Sequence, residues 1–292
     1  MYEALRRVLF FFCVAFVGVG LLVGLAGESV FGLWRDEVSG SLFGHPFPET
    51  LRGFARLTDG ILGGSIVGKW VATAWLVHEP LRRRERWAIG ALLASHLGWF
   101  VIDSSASLLY GAAPNIWLIN LAPLVLVGGL ALVMAPMTKS VPRDRGPVRR
   151  SVRVLTVVCA MSIGVGLVSA FLIESPLFGL YRGGIAEAYF AGTIGEEGLL
   201  WTRFAYGLIG GTLAGHFIAL TAMLLWAPRQ RWVLFAVLSS MLAWFVLDSG
   251  VSLYAGGAFN VLQVNLPSLL VTLAPLAFAL RREDPGPDAV SS

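Results

Sequence analysis

Apolar residues run unbroken for long stretches along this chain, and the polar residues between them fall in short groups, most of them basic. Eight stretches stand out, at residues 8–27, 60–77, 87–110 and 116–134, then at 152–173, 207–226, 232–255 and 261–280. A hydrocarbon core about 30 Å thick takes about 20 helical residues at about 1.5 Å each. Backbone groups in lipid have no water to bond, so each stretch predicts a helix that closes its own hydrogen bonds. The second four stretches repeat the first: GWFVIDSSASLLYGAAPNIWLINL at 98–121 answers AWFVLDSGVSLYAGGAFNVLQVNL at 243–266. The expected fold class is all-α, a polytopic membrane protein of eight transmembrane helices arranged as two parallel four-helix repeats. An even number of spans keeps both copies the same way up, related by a pseudo-twofold axis along the membrane normal. The expected units are a first module at 1–137, a basic linker at 138–151 broken by Pro142 and Pro147, a second module at 152–282 and a disordered tail at 283–292.

Composition agrees with this pattern. The 292 residues are 56% hydrophobic and 14% charged, against about 25% charged in soluble domains. Arg6 and Arg7, the run Arg82, Arg83, Arg84 and Arg86, the linker arginines Arg143, Arg145, Arg149 and Arg150, and the pair Arg281 and Arg282 all fall on one side of an eight-span chain. By the positive-inside rule that side is cytoplasmic, which predicts both termini inside and a bacterial inner membrane. The net charge of +4 thus reflects orientation in a lipid bilayer, and no nucleic-acid partner is expected. The first span has the look of a secretory signal. However, Cys13, Gly18, Gly20 and Glu28 match Cys159, Gly164, Gly166 and Glu174 of an internal span, so a retained helix is expected. Both cysteines read as small apolar packing residues rather than redox or metal groups.

The repeat acts as a filter on polar residues at membrane depth, each of which needs a partner or a purpose. Trp99, Asp103 and Ser107 in the third span match Trp244, Asp248 and Ser252; four-residue spacing puts each set on one helical face. Asn115 and Asn120 of the fourth span match Asn260 and Asn265. Lys69 in the second span is replaced by His216 in its copy. Spans two and three are joined by a short loop and are expected to be antiparallel neighbours. Lys69 would then lie roughly 13 Å and Asp103 roughly 10 Å below the outer boundary, which predicts a Lys69–Asp103 ion pair and a matching His216–Asp248 pair. Gly60, Gly64 and Gly68, with Gly207, Gly211 and Gly215, form stripes that let another helix approach closely. His96 and Tyr110 share the Asp103 face but are Met241 and Ala255 in the second copy, so they rank lower; His45 belongs to a loop.

After the first span of each copy come FGLWR, ending at Arg35, and FGLYR, ending at Arg182. These read as interfacial anchors, or as part of a Glu and Arg vestibule with Arg56 and Arg203. Zinc-protease, nucleophile-elbow, phosphate-loop and cysteine metal motifs are missing, so no catalytic residues, cofactor or metal are expected and the protein is not read as an enzyme. The run RRRERWAIGALLASHLGWFVIDSSASLLYGAAPN, with GILGGSIVGKW before it, resembles a family of uncharacterised bacterial proteins with four spanning helices. RQRWVLFAVLSSMLAWFVLDSGVSLYAGGAFN resembles it more closely. The resemblance implies a tandem duplication of such a unit and carries no catalytic residues. Two functions are compatible with the sequence. One is a transporter of a small solute or ion with a polar site at Asp103, Asp248, Lys69 and His216, aided by Ser107, Ser252, Asn120 and Asn265. The other is a non-transporting accessory or scaffold protein whose buried charges are structural. A cavity reaching the aspartates favours the first, and tight burial of both favours the second. Oligomeric state is not specified by the sequence.

Overall fold

A computed structural model describes residues 1–143 and 146–281. The expected tail at 283–292, Arg145 and Arg282 lie outside the described residues. The first half contains α1 (Tyr2–Val30), the short α2 (Gly32–Phe43), α3 (Arg52–His78) and α4 (Arg86–Leu109). A π-helical turn, Ile116–Asn120, then leads into α5 (Leu121–Met134). The second half repeats the order with α6 (Arg150–Leu172), α7 (Gly179–Tyr189), α8 (Glu196–Trp226) and α9 (Arg231–Tyr254). The short α10 (Ala258–Asn260) follows, then a second π-helical turn, Val261–Asn265, and α11 (Leu266–Arg281). Among the described residues, which are all-α, eight helices are long and apolar enough to cross a membrane.

The two most buried helices are α3 and α8, which form the axis of the bundle; their membrane-length stretches are 72% buried, against 28% for α1 and α6. Glycine explains this placement, because a helix without side chains along one stripe can be approached on that side at backbone distance. The structure corrects the expected neighbours. Spans two and three of one copy hardly touch; α3 packs along α9 and α4 along α8, so each half supplies the partner of the other. A Cβ on Gly64 would lie 2.8 Å from the Asp248 Cβ, and one on Gly211 would lie 3.0 Å from the Asp103 Cβ. One turn on, a Cβ on Gly68 would meet Trp244 at 3.0 Å and one on Gly215 would meet Trp99 at 2.8 Å. Gly60 and Gly207 complete the stripes against Val251 and Ala106. A short loop brings two helices into sequence order, but backbone-close contact decides which of them pack.

A second seam runs along the neighbouring glycines. Gly63 meets Gly20 and Gly24 of α1, and Gly210 meets Gly166 and Ala170 of α6. The outer helices therefore wrap a cross-braced core of α3, α4, α8 and α9. Cys13 of α1 and Cys159 of α6 are both buried and unbridged. At the end carrying the basic loops, the linker begins by pairing with the loop between α3 and α4. There the Lys139 N–H donates to the Arg84 carbonyl at 2.8 Å, and the Arg86 N–H donates to the Lys139 carbonyl at 2.9 Å.

Candidate functional site

Asp103 and its copy Asp248 lie near the end of the bundle that carries α2 and α7, and both are buried, with 3% of Asp103 and 1% of Asp248 exposed. An ionised carboxylate at that depth needs several hydrogen bonds to offset the loss of water. The third and fourth spans supply them to one oxygen of each carboxylate, and Asp248 Oδ2 has no hydrogen-bond partner among the described residues. Asn115 and Asn120 donate to Asp103 Oδ1 at 2.8 and 2.6 Å, and the Ser107 hydroxyl donates at 3.3 Å. In the second half Asn260, Asn265 and Ser252 donate to Asp248 Oδ1 at 2.8, 2.7 and 3.1 Å.

The local backbone makes this possible. Residues five apart lie on different faces of an α-helix, but the wider π-helical turn brings them toward one face, and π turns of this kind occur often at functional sites. The paired asparagines sit at the start and end of these turns. Gly111 and Gly256, with φ of 84° and 83°, make the tight reversals that return the chain to the carboxylates; this left-handed backbone suits glycine. From above, Trp34 of α2 donates to Asn115 Oδ1 at 3.1 Å and Tyr181 of α7 donates to Asn260 Oδ1 at 2.9 Å. Accepting those bonds leaves each amide nitrogen turned toward its aspartate. The FGLWR and FGLYR segments are therefore more than anchors: Leu33 and Leu180 point outward, 86% and 79% exposed, while Trp34 and Tyr181 reach inward.

The expected ion pairs are not formed. Among the described residues, Lys69 makes no contact with a carboxylate within 4 Å, and His216 has no hydrogen-bond partner on either ring nitrogen. The cause is the cross-packing, which sets α3 beside α8 and α9 instead of beside α4. The Lys69 ammonium lies 3.8 Å from the centre of the Trp99 ring and 5.4 Å from that of Trp70. An aromatic face attracts a cation but does not replace a counter-ion. Lys69 and Asp103 do share a cavity of about 220 Å³, with Trp99 between them and Phe16, Leu118 and Thr212 among its walls.

Two imidazoles complete the neighbourhood. His216 crosses α3 at Gly68, where a Cβ would lie 3.0 Å from its ring. The His96 ring packs edge-on to Trp70 at 5.0 Å, its Nδ1 bonded to the Leu92 carbonyl at 2.9 Å and its Nε2 without a partner. His96 thus belongs to the site although the repeat gives it no counterpart. Sequence reasoning also missed Trp70, whose only signal is its place next to Lys69. Asp103, Ser107, Asn120 and Lys69 line or adjoin the cavity, while Asp248, Ser252 and Asn265 form a closed copy on the other side of the α3–α8 axis.

Comparison with protein-family models, curated proteins and solved structures finds no match to this chain. A second and larger polar feature lies at the same end of the bundle. Glu28 faces Arg52 and Arg56 at 3.1 and 3.6 Å, and behind them a buried ion pair joins Arg35 to Asp59. In the second half Arg203 makes a two-point contact with Glu174 at 2.7 and 2.9 Å, which holds that carboxyl below its usual range. Position 59 becomes Tyr206 there, bonded to Tyr181 at 2.5 Å. The expected Glu and Arg vestibule is thus present in the first half, and its copy is a closed pair.

Proposed function

We propose that the protein is a transporter of a small solute or ion, seated in a bacterial inner membrane with both termini in the cytoplasm. The 220 Å³ cavity between Lys69 and Asp103 is its binding site. The observation that carries this reading is the state of Lys69. It is a buried ammonium without a counter-ion within 4 Å among the described residues, beside a carboxylate whose Oδ1 already accepts two amide N–H bonds. A charge at membrane depth costs about 2.5–3.5 kcal/mol on insertion scales, so a bound negative group would be strongly favoured there. The solute class this supports is a small anion, held by Lys69 and flanked by Trp70 and Trp99. The two repeats, at 1–137 and 152–282, would have divided their work, the first binding and the second bracing.

The test is flux through the purified protein in liposomes, with chloride, nitrate, acetate and lactate as the panel. At least one of them is expected to move, and Lys69→Met to slow it at least tenfold while circular dichroism is unchanged. Binding of the same anion should change tryptophan fluorescence, and Trp99→Phe should remove most of that change. Undiminished flux in Lys69→Met, or no flux and no fluorescence change with any anion, rejects the proposal. A non-transporting scaffold is the second reading, and the Asp248 cluster favours it, since that carboxylate is closed behind Gly64.

A further inference from the structure

The vestibule of the first half opens into a groove of about 1080 Å³ between α1 and α9. Its long walls are apolar, with Leu21 and Leu25 on one side and Leu242 and Val246 on the other. Leu25 is 70% and Val246 68% exposed at membrane depth, so the groove faces lipid along its length. Its upper end is polar and is lined by three guanidinium groups, Arg35, Arg52 and Arg56, and two carboxylates, Glu28 and Asp59, with Glu49 pairing Arg52 from the rim at 2.8 Å. Arg35 is buried and bonded to Asp59, yet its Nε–H has no acceptor. Arg52 and Arg56 share Glu28, are about half exposed, and extend from the first turns of α3. An apolar slot capped by two half-exposed guanidinium groups has the layout of an amphiphile with an anionic head.

The second half shows what closes such a groove. There Tyr110 reaches from the end of α4 across to α6, and its hydroxyl donates to the Ala170 carbonyl at 3.0 Å. The corresponding residue of the first groove is Ala255, too short to cross to Gly24. The two-point Glu174–Arg203 contact then seals the polar end. One seam is plugged and latched, while its copy is open; the unpartnered Nε–H of Arg35 is shared by its counterpart Arg182, so the plug and the latch are what set the two apart.

We infer that the α1–α9 groove binds one anionic phospholipid from the leaflet at the α2–α7 end of the bundle. Its chains lie between Leu25 and Val246, and its phosphate is held by Arg52 and Arg56 with Arg35 behind. This site is separate from the Lys69 cavity and stands whether or not the protein transports.

Native mass spectrometry of the intact protein in detergent tests this with added phosphatidylglycerol, phosphatidylcholine or inorganic phosphate. One phosphatidylglycerol should be retained at least tenfold more tightly than phosphatidylcholine, and millimolar inorganic phosphate should not displace it. Arg52→Gln with Arg56→Gln should bring the two lipids to equal retention. Gly250→Phe should weaken both lipids, because Gly250 lines the groove and a Cβ there meets nothing within 4 Å. Ala255→Tyr, which copies the Tyr110 plug, should do the same and serves if Gly250→Phe lowers the melting temperature. Equal retention of the two lipids by the unmodified protein overturns the inference. So do displacement by phosphate and full phosphatidylglycerol retention in the folded groove-filling variants.

Discussion

Replacing Asn265 by leucine isolates the interaction on which the buried clusters depend. The side chain donates to Asp248 Oδ1 at 2.7 Å and to Ser249 Oγ at 3.1 Å. A bond to a charged acceptor contributes about 1.5–3 kcal/mol, while a neutral side-chain bond inside a membrane protein averages about 0.6 kcal/mol. Asn265→Leu should therefore cost about 2–3.5 kcal/mol. In an Asp248→Asn background both bonds are neutral, and the same replacement should cost only about 1 kcal/mol. The difference, about 1–2.5 kcal/mol, is the coupling expected from a four-protein cycle, well above the about 0.3–0.5 kcal/mol within which independent sites add. Reversible unfolding in mixed micelles, followed by helical circular dichroism, supplies the four free energies. Additive losses would refute the reasoning, since they would mean that Asp248 holds no charge for Asn265 to stabilise. Asn120→Leu with Asp103→Asn should give a similar coupling in the first half, where the bond is 2.6 Å.

Other expectations follow from the same contacts. Gly64→Leu and Gly211→Leu should each destabilise by about 3 kcal/mol or abolish assembly, because even a Cβ would lie 2.8–3.0 Å from an aspartate Cβ on the facing helix. Expression and gel filtration would show this, and well-folded variants would disprove the cross-packing. Arg35→Met should cost about 3–5 kcal/mol by stranding Asp59, and adding Asp59→Asn should recover part of that loss in the same unfolding assay. Glu174 titrates below its ordinary 4.5 because Arg203 bonds it. Its contribution is therefore complete above that value and is lost as pH falls through the lowered one. Melting temperature should drop less between pH 6 and 3 in Glu174→Gln than in the parent, by an amount matching a partly exposed pair of under about 1 kcal/mol. Neither Cys13 nor Cys159 should react with a maleimide until the protein is unfolded, since both are 0% exposed.

The helices were legible because about 20 apolar residues in a row have few alternatives in lipid. The repeat made the Trp, Asp and Ser face, the glycine stripes and the asparagine pairs legible too, and all of them meet in the structure. Partners were harder to read. Lys69 and Asp103 look matched when spans two and three are drawn as a hairpin, but helix pairing follows the closest backbone approach, and the glycines of α3 face α9. Asn115 and Asn120 look divergent on an α-helical wheel, and nothing in IWLIN announces the π turn that turns both toward one carboxylate. Tyr110 ranks low in the sequence because it lacks a copy, although its lack of a copy is what makes the two grooves differ. A repeat identifies what both halves need and conceals what only one half does.

The cross-bracing of α3 on α9 and α4 on α8 also bears on how the chain arose. A single four-span unit with this face would leave its glycine stripe bare unless a second, parallel copy covered it. In such a dimer any residue at position 69 would meet its own image beside the axis, and two lysines so placed would repel. Fusion removes that constraint: once the halves are one gene product, Lys69 can face a histidine at position 216. The asymmetry on which the proposed binding site depends is one that identical subunits could not have evolved.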